Sequence, residues 1–267
     1  MPAYISFLSD FGRDDEFVGV VHGVVAKLSP NVRVLDITHS IRRGDIRAGA
    51  LALTRAIQYL PEGVILAVVD PGVGTSRRAL AAHTTMGVFV GPDNGLLSPA
   101  VAMVGGADRI VSIENPEMRI PSVGETFHGR DVFGPAAALL ASGEASLADC
   151  GPDVAPDEVT PLLLPLPEAE PGSISGMAWW VDRFGNAQTN ISPEEMALAG
   201  ITGEATVTVR IGSTEYEVPW VTSYGDVEDG DPLLHVDGSG LIALAVRNGS
   251  AAELLRLSEG QSVTLEG

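Results

Sequence analysis

A single cysteine, Cys150, rules out an intrachain disulfide framework and a multi-cysteine zinc cluster, and its simplest role is that of a small buried residue. Lysine is almost missing too: Lys27 is the only one, and arginine supplies the remaining positive charge. With 35 acidic residues against 16 basic, the net charge of -19 repels a phosphate backbone or an anionic bilayer, so neither nucleic acid nor membrane is an expected partner. No apolar run approaches the ~20 residues of a membrane span, and the start, MPAYISFLSDFGRDD, has no basic segment ahead of an apolar one. The expectation is a soluble cytoplasmic protein. Internal repeats, a G-x-S-x-G elbow and an H-E-x-x-H zinc motif are absent as well.

What remains is 267 residues with 45% apolar content, enough for one large domain or two unequal ones, and the pattern along the chain points to two. Val- and Ile-rich runs at Ala3 to Leu8, Val32 to Ile37, Val64 to Val69, Ala79 to His83, Val88 to Val90 and Ile110 to Ile113 lack alternation, which predicts strands covered on both faces. Between them Glu16 to Leu28 sets Val18, Val21, Val24, Val25 and Leu28 on one helical stripe, and Asp45 to Leu60 does the same with Ile46, Leu53, Ile57 and Leu60. Asp45 is placed to cap the second helix, and a further helix is expected from Arg130 to Leu140. The alternation predicts an α/β domain with a mainly parallel sheet over residues 1–150. Residues 151–172, rich in proline and acid, read as a linker. Short strand signals then recur at Ser173 to Val181, Ala205 to Ile211, Thr214 to Val218, Pro232 to Val236, Leu241 to Val246 and Gln261 to Leu265, with a hairpin turn at Gly212-Ser213 and one short helix near Pro193 to Ala199. Residues 173–267 are therefore expected to form a smaller all-β barrel domain.

Ligands of a parallel sheet gather beyond the carboxyl ends of its strands, and three runs end there in polar residues: SFLSDFG with Asp10, LDITHS with Asp36 and His39, and ILAVVDPGVG with Asp70. Such a rim can bind a metal, chelate the two hydroxyls of a ribose, or orient a water. VVDPGVGTSRR has two glycines that let the backbone approach a ligand. It lacks the Lys-Ser or Lys-Thr of a phosphate loop and the third glycine of a dinucleotide fingerprint, and its aspartate would repel phosphate. A tight turn with surface arginines is the competing reading. ETFHGRD, just before the third helix, adds His128 in a loop. Asp70, Arg77 and His128 then offer one carboxylate, one fixed cation and one titratable ring, a set able to hold and polarise a water. His22, His39, His83 and His235 are scattered along the chain, so a metal site would have to be assembled from distant pieces and no metal is expected.

In order along nearly the whole chain, SDFGRDDEFVG, DITHSIRRGDIRAGA, VVDPGVGTSRR, GPDNGLL, ETFHGRDVF and FGNAQTN resemble the successive motifs of the adenosine-forming S-adenosyl-L-methionine hydrolases, also called SAM hydroxide adenosyltransferases. The resemblance implies an N-terminal α/β domain, a C-terminal β-barrel, and a homotrimer with active sites between one subunit's first domain and its neighbour's second. It implies that Asp70, Arg77 and His128 position the attacking water and that Asp10 binds the ribose. Asn186 would read the adenosine, Asp182 would bind the methionine ammonium, Tyr224 would stack on adenine, and Ser239 would lie near the methionine end. Phe184, Trp179 and Trp180 are further aromatics able to exclude water, although barrel core is the favoured place for at least one of the two tryptophans. No cofactor is implied, S-adenosyl-L-methionine being the substrate.

Related halogenating enzymes share the SD-x-G and FGN motifs but carry Tyr-Pro where this chain has Asp70-Pro71 and a small polar residue where it has Val73. The fluorinating kind also has a long insertion after the position of Thr75. An anionic Asp70 would repel halide and tolerate water. The expected reaction is hydrolysis to adenosine and L-methionine by in-line attack at ribose C5′. A halide-using transferase and a non-catalytic S-adenosylmethionine or adenosine binder are the alternatives. Displacement at the sulfonium expels a neutral thioether, so no general acid is needed. Asp70, as an ordinary carboxylate, would need a raised pKa or an already polarised water to act as the base.

Overall fold

The structure, a computed structural model, describes residues 3–203 and 206–267. It divides into two compact units, Met1–Leu163 and Leu164–Gly267. The first contains β1 (Tyr4–Ser9), α1 (Phe17–Leu28), β2 (Arg33–Thr38), α2 (Ile46–Ile57), β3 (Gly63–Val68), β4 (Ala79–Thr84), β5 (Gly87–Pro92), α3 (Ser98–Met103), β6 (Arg109–Ser112), α4 (Gly134–Ser142) and α5 (Leu147–Cys150). Its sheet runs in the order β2-β1-β3-β5-β4-β6. Alternate residues of β3 face opposite sides. Val64, Leu66 and Val68 pack with Val21 and Val25 of α1 and Ala136 to Ala138 of α4, while Ile65 and Ala67 pack with Ala50, Leu53 and Ile57 of α2. Two apolar layers therefore cover one sheet, which is why its central strands read as unbroken apolar runs.

Two expectations change. The sheet is mixed: β2, β1, β3 and β5 pair in parallel, but β4 is antiparallel to both β5 and β6. Only residues 85–86 separate β4 from β5, too few for the crossover that parallel pairing requires. β2 is an edge strand and largely uncovered, with Leu35 exposed, so its apolar run is not a mark of burial on both faces.

The helices follow their caps. Asp45 accepts a hydrogen bond from Ala48 N at 2.9 Å and starts α2. The helix expected from Arg130 instead opens with a π-helical turn, Gly129–Phe133, that runs into α4. Cys150 is fully buried, and burial pushes its thiol up to about 11.

The second unit contains β7 (Glu168–Glu170), β8 (Ser173–Val181), β9 (Ala187–Thr189), α6 (Pro193–Leu198), β10 (Thr206–Ile211), β11 (Thr214–Pro219), β12 (Pro232–Val236), β13 (Ile242–Val246), α7 (Ala251–Leu254) and β14 (Ser262–Glu266). The strand order is β11-β10-β14-β8-β9-β13-β12, with β7 on β8, and every named pair is antiparallel. A Trp220–Leu234 bridge and a hydrogen bond from Val221 N to Leu234 O at 2.9 Å bring the two end strands together, so the sheet curls into a nearly closed barrel. Gly212-Ser213 makes the two-residue hairpin between β10 and β11. Ala205, expected at the start of β10, lies outside the described residues. Neither Trp179 nor Trp180 joins the buried barrel core; the tryptophan packed against it is Trp220. Between the units' main elements, Thr160 N donates to Asp93 and Leu162 N to Ser98 in the first unit, while β7 belongs to the second. Among the described residues no helix is long and apolar enough to cross a membrane.

Candidate active site

Parallel pairing of β2, β1 and β3 carries the residues after each strand to one edge of the sheet. Asp10 follows β1, His39 follows β2, and Asp70 follows β3 by two residues. The chain then turns through Gly72 and Gly74, with Val73 N bonded to Asp70 O and Thr75 N to Gly72 O. Gly74 adopts φ +78°, a left-handed conformation natural to glycine. This turn swings Arg77 back onto Asp70. The guanidinium Nε donates to Asp70 Oδ1 at 2.8 Å and Nη2 donates to Oδ2, a bidentate pair that is nearly buried, with the Arg77 side chain 10% and the Asp70 side chain 4% exposed. The surface-turn reading of the paired arginines therefore fails for Arg77. Its guanidinium also stacks 5.0 Å from the Phe133 ring.

Arg77 Nη2 reaches His128 Nδ1 at 2.9 Å. A guanidinium can only donate, so His128 Nδ1 accepts and the ring proton sits on Nε2. Burial, reinforced by the Arg77 charge, holds His128 below the ordinary histidine value and keeps the ring neutral. Asp10, Asp70 and His128, with Val68, Val73, Phe11, Thr126, Phe127 and Gly129, line one cavity of about 60 Å³. Asp10 Oδ2 accepts from Gly44 N at 2.7 Å, and burial followed by the charge of Asp70 raises its pKa against that hydrogen bond.

Several supporting residues were missed in the sequence. Asn94 donates to Val69 O at 2.9 Å and Asp93 accepts from Arg78 Nε at 2.8 Å, so GPDNG fastens the turn at both of its ends. The motif could have signalled this only if β5 had been known to lie beside β3. Gly129 is required by packing: a Cβ there would come within 2.7 Å of the Phe11 ring.

In the second unit the FGN turn and its neighbours form a separate group. Asp182 Oδ1 accepts from Phe184 N and Asn186 N at 2.8 and 2.9 Å, and Oδ2 accepts from Asn186 Nδ2 at 2.9 Å, so Asp182 staples the turn that presents Asn186. Asp182, Asn186, Tyr224 and Ser239 line a cavity of about 410 Å³ together with Trp180, Gln188, His235 and Asp237. Phe184 is not part of that lining; its ring is 70% exposed and, with Asn186 and Tyr224, edges a neighbouring hollow. The Tyr224 ring lies 5.1 Å from that of His235, and burial, then the charges of Asp182 and Asp237, raise its hydroxyl pKa. Asp237, overlooked in the sequence, accepts from Ser239 N and Leu241 N and from Gln188 Nε2, which fixes the loop carrying Ser239.

Residues 5–151 match the SAM hydroxide adenosyltransferase N-terminal domain, and residues 176–264 match its C-terminal domain. A relative from Salinispora tropica, named (R)-S-adenosyl-L-methionine hydrolase, is 44% identical over 259 residues, covering 96% of this chain and 95% of its own. A fluorinase from Actinoplanes sp. is 27% identical over 290 residues, covering 98% and 96%. The crystal structure of an uncharacterized conserved protein from Thermotoga maritima superposes with a TM-score of 0.92 at 34% identity, covering 98% of this chain and all of that one.

Proposed function

The chain belongs to the SAM hydroxide adenosyltransferase family, and we infer that it hydrolyses S-adenosyl-L-methionine to adenosine and L-methionine, with Asp70, Arg77 and His128 holding the attacking water. The observation that carries the site assignment is the cavity of about 60 Å³ walled by Asp10, Asp70 and His128, enough for an ordered water, which needs at least about 10–15 Å³. With His128 Nδ1 turned to Arg77, Nε2–H is the ring's remaining donor and His128 is not the base. Asp70, although paired with Arg77, keeps unused lone pairs on both oxygens and is the acceptor. A water that donates to Asp70 and accepts from His128 Nε2–H keeps a lone pair for C5′.

The oxygen forms its bond to C5′ as the C5′–sulfur bond breaks, the bonding pair leaves with sulfur as neutral thioether, and the water proton passes to Asp70. Holding the reactants in line can supply about 7 kcal/mol or more of the barrier. Arg77 holds Asp70 in place, so the carboxylate stands ready to take the water proton as the C–O bond forms. Asp10 binds the ribose, its free capacity directed at the hydroxyls. Asp182 takes the methionine ammonium, Asn186 reads the adenine with Tyr224 and Phe184 stacking or shielding it, and Ser239 lies at the methionine end. The reaction draws on no metal or cofactor. The active assembly is a homotrimer, each site completed by a neighbouring subunit, working in the cytoplasm without nucleic-acid or membrane partners. Val73 puts an apolar wall where a halide would need donors.

The test is incubation of purified protein with S-adenosylmethionine, followed by chromatography for adenosine and methionine. Adenosine in step with methionine supports the reading; no adenosine above the uncatalysed rate, or a halogenated nucleoside in chloride or fluoride, overturns it. Light scattering that returns a monomer overturns the trimer alone.

A further inference from the structure

The structure brings together three side chains that the sequence leaves apart: His22 on α1, Asp36 on β2 and His39 just after it, all ligand atoms within 4.8 Å of one another. His22 Nε2 stands 2.8 Å and His39 Nε2 3.1 Å from the same Asp36 oxygen, Oδ1. Both spacings approach the edge of a tetrahedron around an ion with metal–nitrogen bonds of about 2.0–2.1 Å, an edge of about 3.3 Å. His39 is fully buried, and its Nε2 makes no hydrogen bond despite facing that carboxylate. Such an orphaned ring nitrogen is costly unless something fills the gap. Its Nδ1 is 2.7 Å from Ser9 Oγ, an outer partner that fixes the ring with Nε2 directed at Asp36.

We propose that His22, Asp36 and His39 form a site for a divalent first-row transition ion such as Zn²⁺ or Co²⁺, with the fourth position open to water. Two imidazoles and one carboxylate suit these ions and not Mg²⁺ or Ca²⁺, which take oxygen ligands. The His22 and Asp36 side chains are about one-third exposed, at 37% and 32%, so the ion can enter from solvent. Binding moves the His22 ring proton from Nε2 to Nδ1, shifts any proton on His39 Nε2 to its Nδ1 against Ser9 Oγ, and changes no oxidation state. The site is separate from Asp70 and His128, but Ser9 adjoins Asp10 and Gly12 N donates to His39 O at 2.8 Å, so an ion here would brace the loop that carries Asp10.

The full-length protein, stripped with a chelator, is titrated with Zn²⁺ and with Co²⁺. One ion per chain, visible Co²⁺ absorption of tetrahedral type and a raised melting temperature are expected. His22→Ala and Asp36→Asn, at partly exposed positions, should each weaken binding at least about tenfold while keeping the parent circular dichroism. His83→Ala, at the separate exposed His83–Asp108 pair, and Asp70→Asn should bind as the parent does. Absence of stoichiometric binding, or affinity unchanged in both His22→Ala and Asp36→Asn, overturns the site. So does loss of binding in Asp70→Asn.

Discussion

Two clusters of carboxylate and histidine stand near the carboxyl ends of β2 and β3, the strands on either side of β1, and they differ in what the carboxylate faces. Asp70 has both oxygens tied to a guanidinium that never loses its proton, while Asp36 offers Oδ1 to two imidazoles that can. Arg77 already supplies the positive charge a metal would bring, and fixes the His128 tautomer as well. The Asp36 group instead directs two ring nitrogens, His22 Nε2 and His39 Nε2, at one carboxylate oxygen, where an ion can take the place of a proton. As proposed, the same residue types would serve water positioning in one place and metal ligation in the other, and the presence of Arg77 decides which.

The comparison breaks most sharply at Asp70. Asp70→Asn keeps the shape but removes the acceptor, and adenosine release should fall about 10²–10⁴-fold while calorimetric S-adenosylmethionine affinity changes little. Activity near the parent level would show that the carboxylate does not take the proton. Arg77→Lys replaces the fork with a point charge, so it should lose both the bidentate grip and the His128 contact, lowering kcat by about 10²-fold. Wild-type kcat there would mean that charge alone suffices. Gly129→Ala pushes the Phe11 ring out of the cavity wall and should cost about tenfold in kcat with the fold intact, read by the same assay alongside circular dichroism.

The smallest effect expected is on pH. Because His128 is held low, the acid limb of kcat/KM should lie below pH 6.5, the ordinary histidine value, and a limb above 6.5 would mean that the ring is not shielded by Arg77. Stability has the same sign. His128 and His39 each bind fewer protons folded than unfolded, so their contribution is complete above 6.5 and is lost as pH falls below it. A urea titration series across that interval reads it.

Local chemistry made much of this legible. Asp45 capped its helix because an Asx side chain before an apolar stripe has few better uses, and Gly212-Ser213 closed its hairpin because the flanking strands require a two-residue turn. Asp10, Asp70 and His128 were legible as rim residues from their place after strands or in a loop. β2 was misjudged because an apolar run does not reveal whether its strand lies at the centre or the edge of a sheet. The tryptophans were misassigned for a similar reason: barrel curvature, not hydrophobicity, puts Trp220 against the core and leaves Trp179 and Trp180 half-buried.

The order of motifs alone was enough for the family and the two-unit plan and singled out candidate site residues, since spacing and residue type are local properties of the chain. Only the tertiary structure decided that Arg77 turns inward to clamp Asp70 and orient His128, that GPDNG braces that turn, and that His22 meets Asp36 and His39. Each of these depends on which strand lies beside which, and strand neighbours are chosen by packing across the whole sheet, which no short stretch of sequence encodes.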